Sequence, residues 1–290
     1  MSFAFFGTPG FAATILKKMI EAGLVPEVLI CNPDRPVGRK KIVTPPPTKI
    51  LAGKHNIPVW QPEDLNVGEF QNKLKGLDLA VLAAYTKIIP KEIISIPKSG
   101  TIVVHPSLLP RFRGATPIQS AILAGDKVTG TTLILADEKV DHGPIIAGEP
   151  LEIGEKDNYE TLIRKLAELS GELLIKTIPL WLEGKINTQI QNETYATYTK
   201  KFTSEDAFVD LEKDDPVLIE RKVRALNPEP GTWTKITSEN YSLIRANKGV
   251  IGKKVKILDA EIKNGTIVLK KIQIEGKKPF NVTQDKPQNL

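Results

Sequence analysis

An α/β protein with a mostly parallel sheet, followed by a small all-β domain, is what the sequence predicts. Three observations lead there. Short apolar runs alternate with helical patterns through the first half of the chain. One long amphipathic helix follows them. From about Thr232 onward, strands with period-2 patterning succeed one another.

The runs Phe3–Phe6, Val25–Cys31, Asp78–Ala83, Thr101–Val104 and Thr131–Ala136 are β-branched or aromatic, and Gly, Pro or Asp bounds them. Continuous apolar runs of this length fit strands buried on both faces. Between them, Phe11–Ala22, Thr48–His55, Val67–Leu74 and Ala115–Leu123 space their apolar residues as helices do. Such alternation implies right-handed crossovers and a sheet covered on both sides. Asn158–Leu182 places Leu162, Leu166, Leu169, Leu173 and Leu174 on one face, suited to packing back across that sheet. Gly184–Glu193 is polar and without period, and reads as a linker. Beyond it, Thr232–Ile236, Tyr241–Ala246, Lys253–Ala260 and Thr266–Ile274 read as strands. Asn264-Gly265 tolerates the positive φ of a type I′ hairpin turn. Short successive strands of this kind suggest a closed or half-closed barrel.

The chain has 290 residues, 41% of them hydrophobic and 26% charged, ordinary for a globular protein with a buried core. No apolar stretch reaches the roughly 18–20 residues of a membrane span, and the N-terminus lacks the basic region of a signal peptide. Cys31 stands alone, so no intramolecular disulfide forms, and only His55, His105 and His142 could add imidazole ligands. That poverty argues against a metal site and fits a reducing cytoplasm. The net charge is +6, yet residues 235–290 alone carry 12 Lys and Arg against 5 Asp and Glu, a surplus of +7. A second basic knot is Arg35, Arg39, Lys40 and Lys41. The two regions suit a polyanionic partner or a solvated lysine surface equally.

Ligands of open parallel sheets bind beyond the carboxyl ends of the strands. Two polar segments stand there, His105–Gly114 and Asp137–Pro144. A strand-end histidine with an aspartate from a neighbouring loop can act as an acid/base pair, because a carboxylate orients imidazole and stabilises its charged form. A hydrogen-bonded structural histidine is the competing reading. His55, at a helix end, reads as surface, and His142 as a neighbour of the site.

The stretch from Gly100 through His105-Pro106-Ser107-Leu108-Leu109-Pro110 to Gln119 resembles the signature of folate-dependent formyltransferases. Phe5–Pro9, Pro33–Arg39, Val140–Ile145, Arg224–Pro228 and Gln273–Pro279 narrow the resemblance to members acting on methionyl-tRNA. It spans nearly the whole chain, in order. The resemblance implies a Rossmann-like catalytic domain over 1–183, a linker over 184–204 and an OB-fold-like, tRNA-binding domain over 205–290. It implies 10-formyltetrahydrofolate as donor, initiator methionyl-tRNA as acceptor, no metal, and a cytoplasmic monomer. Folate contacts are implied at Leu82, Ala84, Tyr85, Ser107, Leu108, Leu109, Pro110 and Asp137. Contacts to tRNA are implied at Arg35, Arg39, Lys40 and Lys41. Lys254 and Lys256 share one face of a strand, which is either a phosphate-binding face or plain solvent surface.

The implied catalytic set is Asn-x-His plus Asp. His105 and Asp141 match it, but Val103 stands where the pattern has Asn. An amide there could donate to a developing oxyanion, and losing one such donor costs roughly 2.7–4 kcal/mol. Three accounts follow: an impaired or altered enzyme, a substitute donor, or a binder of tRNA or folate without catalysis. A formyltransferase acting on a small amine, such as a nucleotide sugar, is the other enzyme reading, and the two basic regions argue against it.

Overall fold

The computed structural model describes residues 1–38, 40–65, 68–240 and 251–282. The chain divides into two compact units. The first holds Met1–Gly114, Val128–Glu152 and Leu162–Tyr198, and the second Ala115–Lys127, Ile153–Thr161 and Thr199–Leu290.

In the first unit, seven strands form one sheet: β1 (Phe3–Gly7), β2 (Val28–Ile30), β5 (Val59–Trp60), β6 (Leu79–Ala83), β7 (Thr101–His105), β9 (Val128–Leu135) and β10 (Ile145–Glu152). Their order is β10-β9-β7-β6-β1-β2-β5. Neighbours from β7 to β5 run parallel, while β9 is antiparallel to both β7 and β10. β1 is entirely buried, as expected of a strand covered on both faces. The helices α1 (Gly10–Glu21), α2 (Pro47–Lys54), α3 (Gly68–Leu74) and α4 (Lys91–Ile94) follow strands in the expected alternation.

Two expectations are corrected here. The run Thr131–Ala136 is a strand, but it enters the sheet antiparallel. The helix preceding it, α5 (Pro117–Ala124), belongs to the second unit and provides no crossover. The segment after β2 that carries the basic knot forms a ribbon, β3 (Arg35–Val37) against β4 (Ile42–Thr44), exposed along both strands.

Helix α6 (Tyr159–Leu182) buries Leu162, Leu166, Leu173 and Leu174. Lys18 of α1 forms ion pairs with Glu168 and Glu172 of α6, at 2.8 and 3.0 Å. Within α6, Ser170 is fully buried and shares a hydrogen bond of 2.8 Å with Thr131 of β9. The segment expected to link two domains is divided between the units, with residues up to Tyr198 in the first and Thr199 onward in the second. In that segment Gln189 exchanges backbone bonds with Ile145 at 2.8 Å. The two-residue strand β8 (Arg113–Gly114) donates its Arg113 amide to Thr197 O at 2.8 Å, just ahead of β11 (Tyr198–Thr199).

The second unit carries β12 (Trp233–Lys235), β13 (Lys254–Lys263), β14 (Thr266–Ile274) and β15 (Phe280–Asn281) in one antiparallel sheet of that order. Asn264 and Gly265 turn the chain between β13 and β14 with φ of +49° and +75°, as the hairpin signal requires. The expected strand Tyr241–Ala246 lies outside the described residues, as do Asn66 and Val67 of the expected third helix. Helix α7 (Pro216–Leu226) packs Ile219 and Val223 into the same core as Val255, Ile257, Ile272 and Ile274. Asp215 caps it through the Val217 amide at 2.7 Å, and Pro216 opens it.

Leu166 is wholly buried. Leu166→Ala should lower the unfolding free energy by about 2–5 kcal/mol, measured by urea titration. A loss under about 1 kcal/mol would mean that α6 does not anchor the sheet.

Candidate active site

The chain reverses direction in the sheet order at β1: β2 and β5 lie on one side, and β6 and β7 on the other. That topology opens a crevice at the carboxyl ends of these strands. His105 is the last residue of β7 and is 4% exposed. Alternation along the strand puts Val103 on the same face. Val103 pairs with Leu82 of β6 and with Ile134 of β9, so it is an ordinary half-buried sheet residue.

Each ring nitrogen of His105 faces an oxygen. Nε2 lies 2.9 Å from Phe112 O, and Nδ1 lies 3.4 Å from Asp141 Oδ2. A carbonyl can only accept, so Nε2 carries a proton in this contact, and the carboxylate favours a proton on Nδ1 as well.

Asp141 occupies the left-handed region, φ +51°, which Asp tolerates better than most residues. Three contacts hold it there. Its Oδ2 accepts the Gly114 amide at 2.8 Å. Its carbonyl and that of Gly143 both accept the Gln191 amide, at 2.9 and 2.8 Å. Gly143 must be glycine, because a Cβ would stand 1.8 Å from Leu135 O. Burial of the Asp141 carboxyl opposes its ionisation. The His105 hydrogen bond and charge, the Gly114 N–H and the Arg113 charge outweigh that burial and hold the carboxyl below its ordinary range.

Arg113 has a fully buried side chain. Its Nε and Nη2 donate to Gln191 Oε1, at 3.1 and 2.8 Å. Nη1 and Nη2 grip Glu193 at 3.0 and 2.6 Å, and Nη1 also donates to the Tyr198 hydroxyl at 3.0 Å. Those five bonds match the five donors of a guanidinium. Glu193 foremost, against burial, raises the Arg113 pKa, and the Arg113 hydrogen bonds foremost lower that of Glu193. His142 Nδ1 meets Asp137 Oδ2 at 2.5 Å, with Glu193 3.7 Å from its Nε2.

The structure thus brings His105, Asp141 and the face of Val103 together. Ser107 is fully buried, its hydroxyl donating to Arg111 O at 2.7 Å and its carbonyl accepting from Thr132 at 2.6 Å. It braces the turn from within rather than lining it. Leu108 lies against Gly130, and the buried Leu109 donates its amide to Thr132 Oγ1 at 3.1 Å. A cis bond joins Leu109 to Pro110. Leu82 is half-buried and Ala84 exposed with φ +49°. Tyr85 packs edge-on against Phe6 at 5.7 Å, and burial foremost pushes its hydroxyl up to about 12. Asp137 is committed to His142.

Arg35, Lys40 and Lys41 are exposed on the ribbon, and Arg39 lies outside the described residues. In the second unit, Lys254 Nζ stands over the Trp233 ring at 4.0 Å, and Lys256 is exposed across from Trp233. Among the described residues no group of three His, Cys, Asp or Glu could hold a metal, and no helix is long and apolar enough to cross a membrane. Gln191 and Arg113 escaped the sequence reading, since neither burial nor convergence of polar side chains is visible in periodicity.

Because its pKa is depressed on folding, the Asp141 carboxylate stabilises the native state fully above about pH 4, and that contribution is lost as pH falls through the folded value. Urea titrations taken from about pH 6 down to 3 should therefore show stability falling more steeply for the natural chain than for Asp141→Asn. Parallel pH curves would rule out that preference for the ionised form.

The formyl transferase family profile matches residues 1–178, and the profile for the formyl transferase C-terminal domain matches residues 201–285. The methionyl-tRNA formyltransferase of Nitrosococcus oceani is 39% identical over 96% of this chain and 90% of its own length. Among solved structures, the methionyl-tRNA formyltransferase of Clostridium thermocellum covers 94% of this chain and 98% of its own, with a TM-score of 0.60 at 20% identity. HypX from Aquifex aeolicus, in complex with tetrahydrofolic acid, aligns with 97% of this chain at a TM-score of 0.63 and 18% identity. This chain spans 45% of HypX, and at such identities the two structures speak for the fold. With both family profiles in order along the chain and relatives of this identity over nearly its full length, the chain belongs to the formyl transferase family, among the methionyl-tRNA formyltransferases.

Proposed function

We propose that this chain moves the formyl group of 10-formyltetrahydrofolate to the α-amine of methionine esterified to initiator tRNA. The observation that carries the reading is the His105–Asp141 pair at the carboxyl end of β7, in a chain of this family. Residues 1–183 carry the chemistry, 184–204 link, and 205–290 bind tRNA. The protein acts as a cytoplasmic monomer, in keeping with its lone, buried Cys31.

In the reaction the amine nitrogen bonds to the formyl carbon, the carbonyl oxygen takes negative charge, and the bond to N10 of the folate breaks as N10 takes up the second proton that the nitrogen sheds. Asp141, kept ionised by His105, Gly114 and Arg113, takes through a water the proton that the attacking ammonium sheds. His105 as imidazolium turns one N–H toward the growing oxyanion, exchanging a neutral acceptor for a charged and stronger one. Val103 offers no donor, so the oxyanion depends on His105 more heavily than in the Asn-x-His pattern. The folate lies against the strand-end segments with Leu82, Ala84 and Tyr85, the Leu108–Pro110 turn and Asp137, with Ser107 stiffening that turn from below.

Arg35, Lys40 and Lys41 of the exposed ribbon meet the acceptor end of the tRNA, and Arg39 is assigned to the same contact. In the second unit, Lys254 and Lys256 meet phosphate. The Trp233 ring under Lys254 supports this assignment, because a cation held over an aromatic face loses less freedom on binding.

The direct test is transfer of labelled formyl from 10-formyltetrahydrofolate to methionyl-tRNA. Asp141→Asn should cut turnover by two orders of magnitude or more while the fold survives, and near-normal turnover would remove Asp141 from the mechanism. Val103→Asn should raise kcat by up to about 10²–10³, and no gain would mean that another group already serves the oxyanion. Lys40→Ala with Lys41→Ala should weaken tRNA binding and flatten the slope of log affinity against log salt by about two. An unchanged slope would make the ribbon solvated surface.

A further inference from the structure

The polar segment that leads out of the first unit adds no strand to the seven-stranded sheet. It nevertheless sends one amide side chain, Gln191, into the interior, where it is 5% exposed. All four hydrogen-bonding positions of that amide are filled. Oε1 accepts twice from Arg113, at 3.1 and 2.8 Å, and Nε2 donates to the carbonyls of Asp141 and Gly143, at 2.9 and 2.8 Å. An amide offers two donors and two lone pairs, so every one is committed within the protein. Its orientation is fixed as well. Turned over, it would set its NH2 against the guanidinium and its oxygen against two carbonyls.

Those two carbonyls stand on either side of His142, so their bonds close a staple across the tightest part of the 137–144 loop. Within the staple Asp141 holds φ +51°. Its Oδ2 accepts the Gly114 amide at 2.8 Å and faces His105 Nδ1 at 3.4 Å. A left-handed backbone at a non-glycine residue persists only where its surroundings over-determine it, and Gln191 supplies the backbone part of that restraint. Gln191 is itself held from elsewhere. Arg113, wholly buried, also binds Glu193 and Tyr198 of the same segment. Two residues upstream, Gln189 exchanges backbone bonds with Ile145 at the start of β10. The staple is therefore anchored outside the loop that it restrains.

Resting on the formyl-transfer reading above, we propose that Gln191 is a positioning residue of the reaction: by stapling the Asp141 and Gly143 carbonyls it sets the Asp141 carboxylate against His105. It touches neither substrate and takes no part in proton transfer. The stretch 184–198 is then part of the catalytic apparatus as well as a connection.

The test uses the full chain with three changes. Gln191→Met keeps the length of the side chain and removes its hydrogen bonds. Gln191→Glu still accepts from Arg113 as a carboxylate but has nothing to donate to the carbonyls. The third places Gln191→Met in an Asp141→Asn background. In formyl transfer to methionyl-tRNA, each single variant should lose about 10- to 100-fold in kcat, the effect of misplacing a reacting group by about 1 Å. KM for both substrates should stay within about twofold. Added to Asp141→Asn, Gln191→Met should cost less than about twofold more, because a residue acting through the carboxylate has nothing left to position. Losses that multiply, or near-normal kcat in Gln191→Glu, overturn the proposal. A second readout needs no turnover: the carbon-13 resonance of the Asp141 carboxyl, followed through acid titration. In the unaltered chain it should titrate below the ordinary carboxylate range. In folded Gln191→Met it should titrate higher, as the carboxyl leaves His105 and the Gly114 N–H. An unchanged titration overturns the proposal even where kcat falls. If the titration moves as expected while the unaltered chain transfers no formyl group, the staple stands and the formyl-transfer reading alone fails.

Discussion

An imidazole at the end of one strand and a carboxylate in a left-handed turn on another loop must approach within 3.4 Å, and most of the first unit's irregular structure serves that approach. Asp141 cannot reach His105 unless the 137–144 loop folds tightly onto the end of β9. Gly143 permits this by passing Leu135 O at a distance no side chain would tolerate. A non-glycine residue at φ +51° costs on the order of 1 kcal/mol or more. The Gly114 amide and the two bonds from Gln191 offset that cost and fix the loop in a single arrangement. The acid/base pair is therefore a property of a bonded loop system rather than of two residues.

Arg113 is the hinge of that system. A charge with no exposed surface is expensive to bury, and it is tolerated only when its donors are matched and a counter-charge is near. All five donors find oxygens, on Gln191, Glu193 and Tyr198, so the guanidinium pins the 189–198 segment beside the site. Gln191 then uses its oxygen on Arg113 and its amide on the Asp141 loop. One side chain thereby transmits the order of a buried charge to the Asp141 carboxylate. The same Arg113 charge also helps to keep Asp141 ionised, so the group that fixes the loop's position also favours the protonation state that the proposed reaction uses.

Much of this could be read in the sequence, and the parts that could not have physical reasons. Strand and helix alternation through Ala83, the buried stripe of α6 and the Asn264-Gly265 turn are local patterns, and each appears where its period placed it. The direction of β9 is not local. An apolar run reads the same whether the strand runs parallel or antiparallel, and only the departure of α5 to the second unit decides it. Helix α7 was legible and was missed, since Asp215, Pro216 and the spacing of Ile219, Val223 and Leu226 form an ordinary capped amphipathic helix. Gln191 was not legible: a glutamine in a polar, aperiodic stretch gives no sign that it is 5% exposed and shared between a buried arginine and two carbonyls. His105 and Asp141 could be singled out because residue type and strand end together restrict the chemistry.

Val103 tests how far such a site depends on any one donor. Its backbone is regular β7, paired on both sides, and valine suits a half-buried strand better than asparagine does. The residue therefore favours folding at the position where the Asn-x-His pattern has an amide. In the proposed reaction the developing negative charge must then be met by His105, whose Nδ1 faces the Asp141 carboxylate at 3.4 Å. The proposed oxyanion donor and proton acceptor are then two ends of one contact. In the proposed reaction, disturbing the Arg113–Gln191 scaffold then weakens both functions together, where an Asn-x-His site would keep one of them.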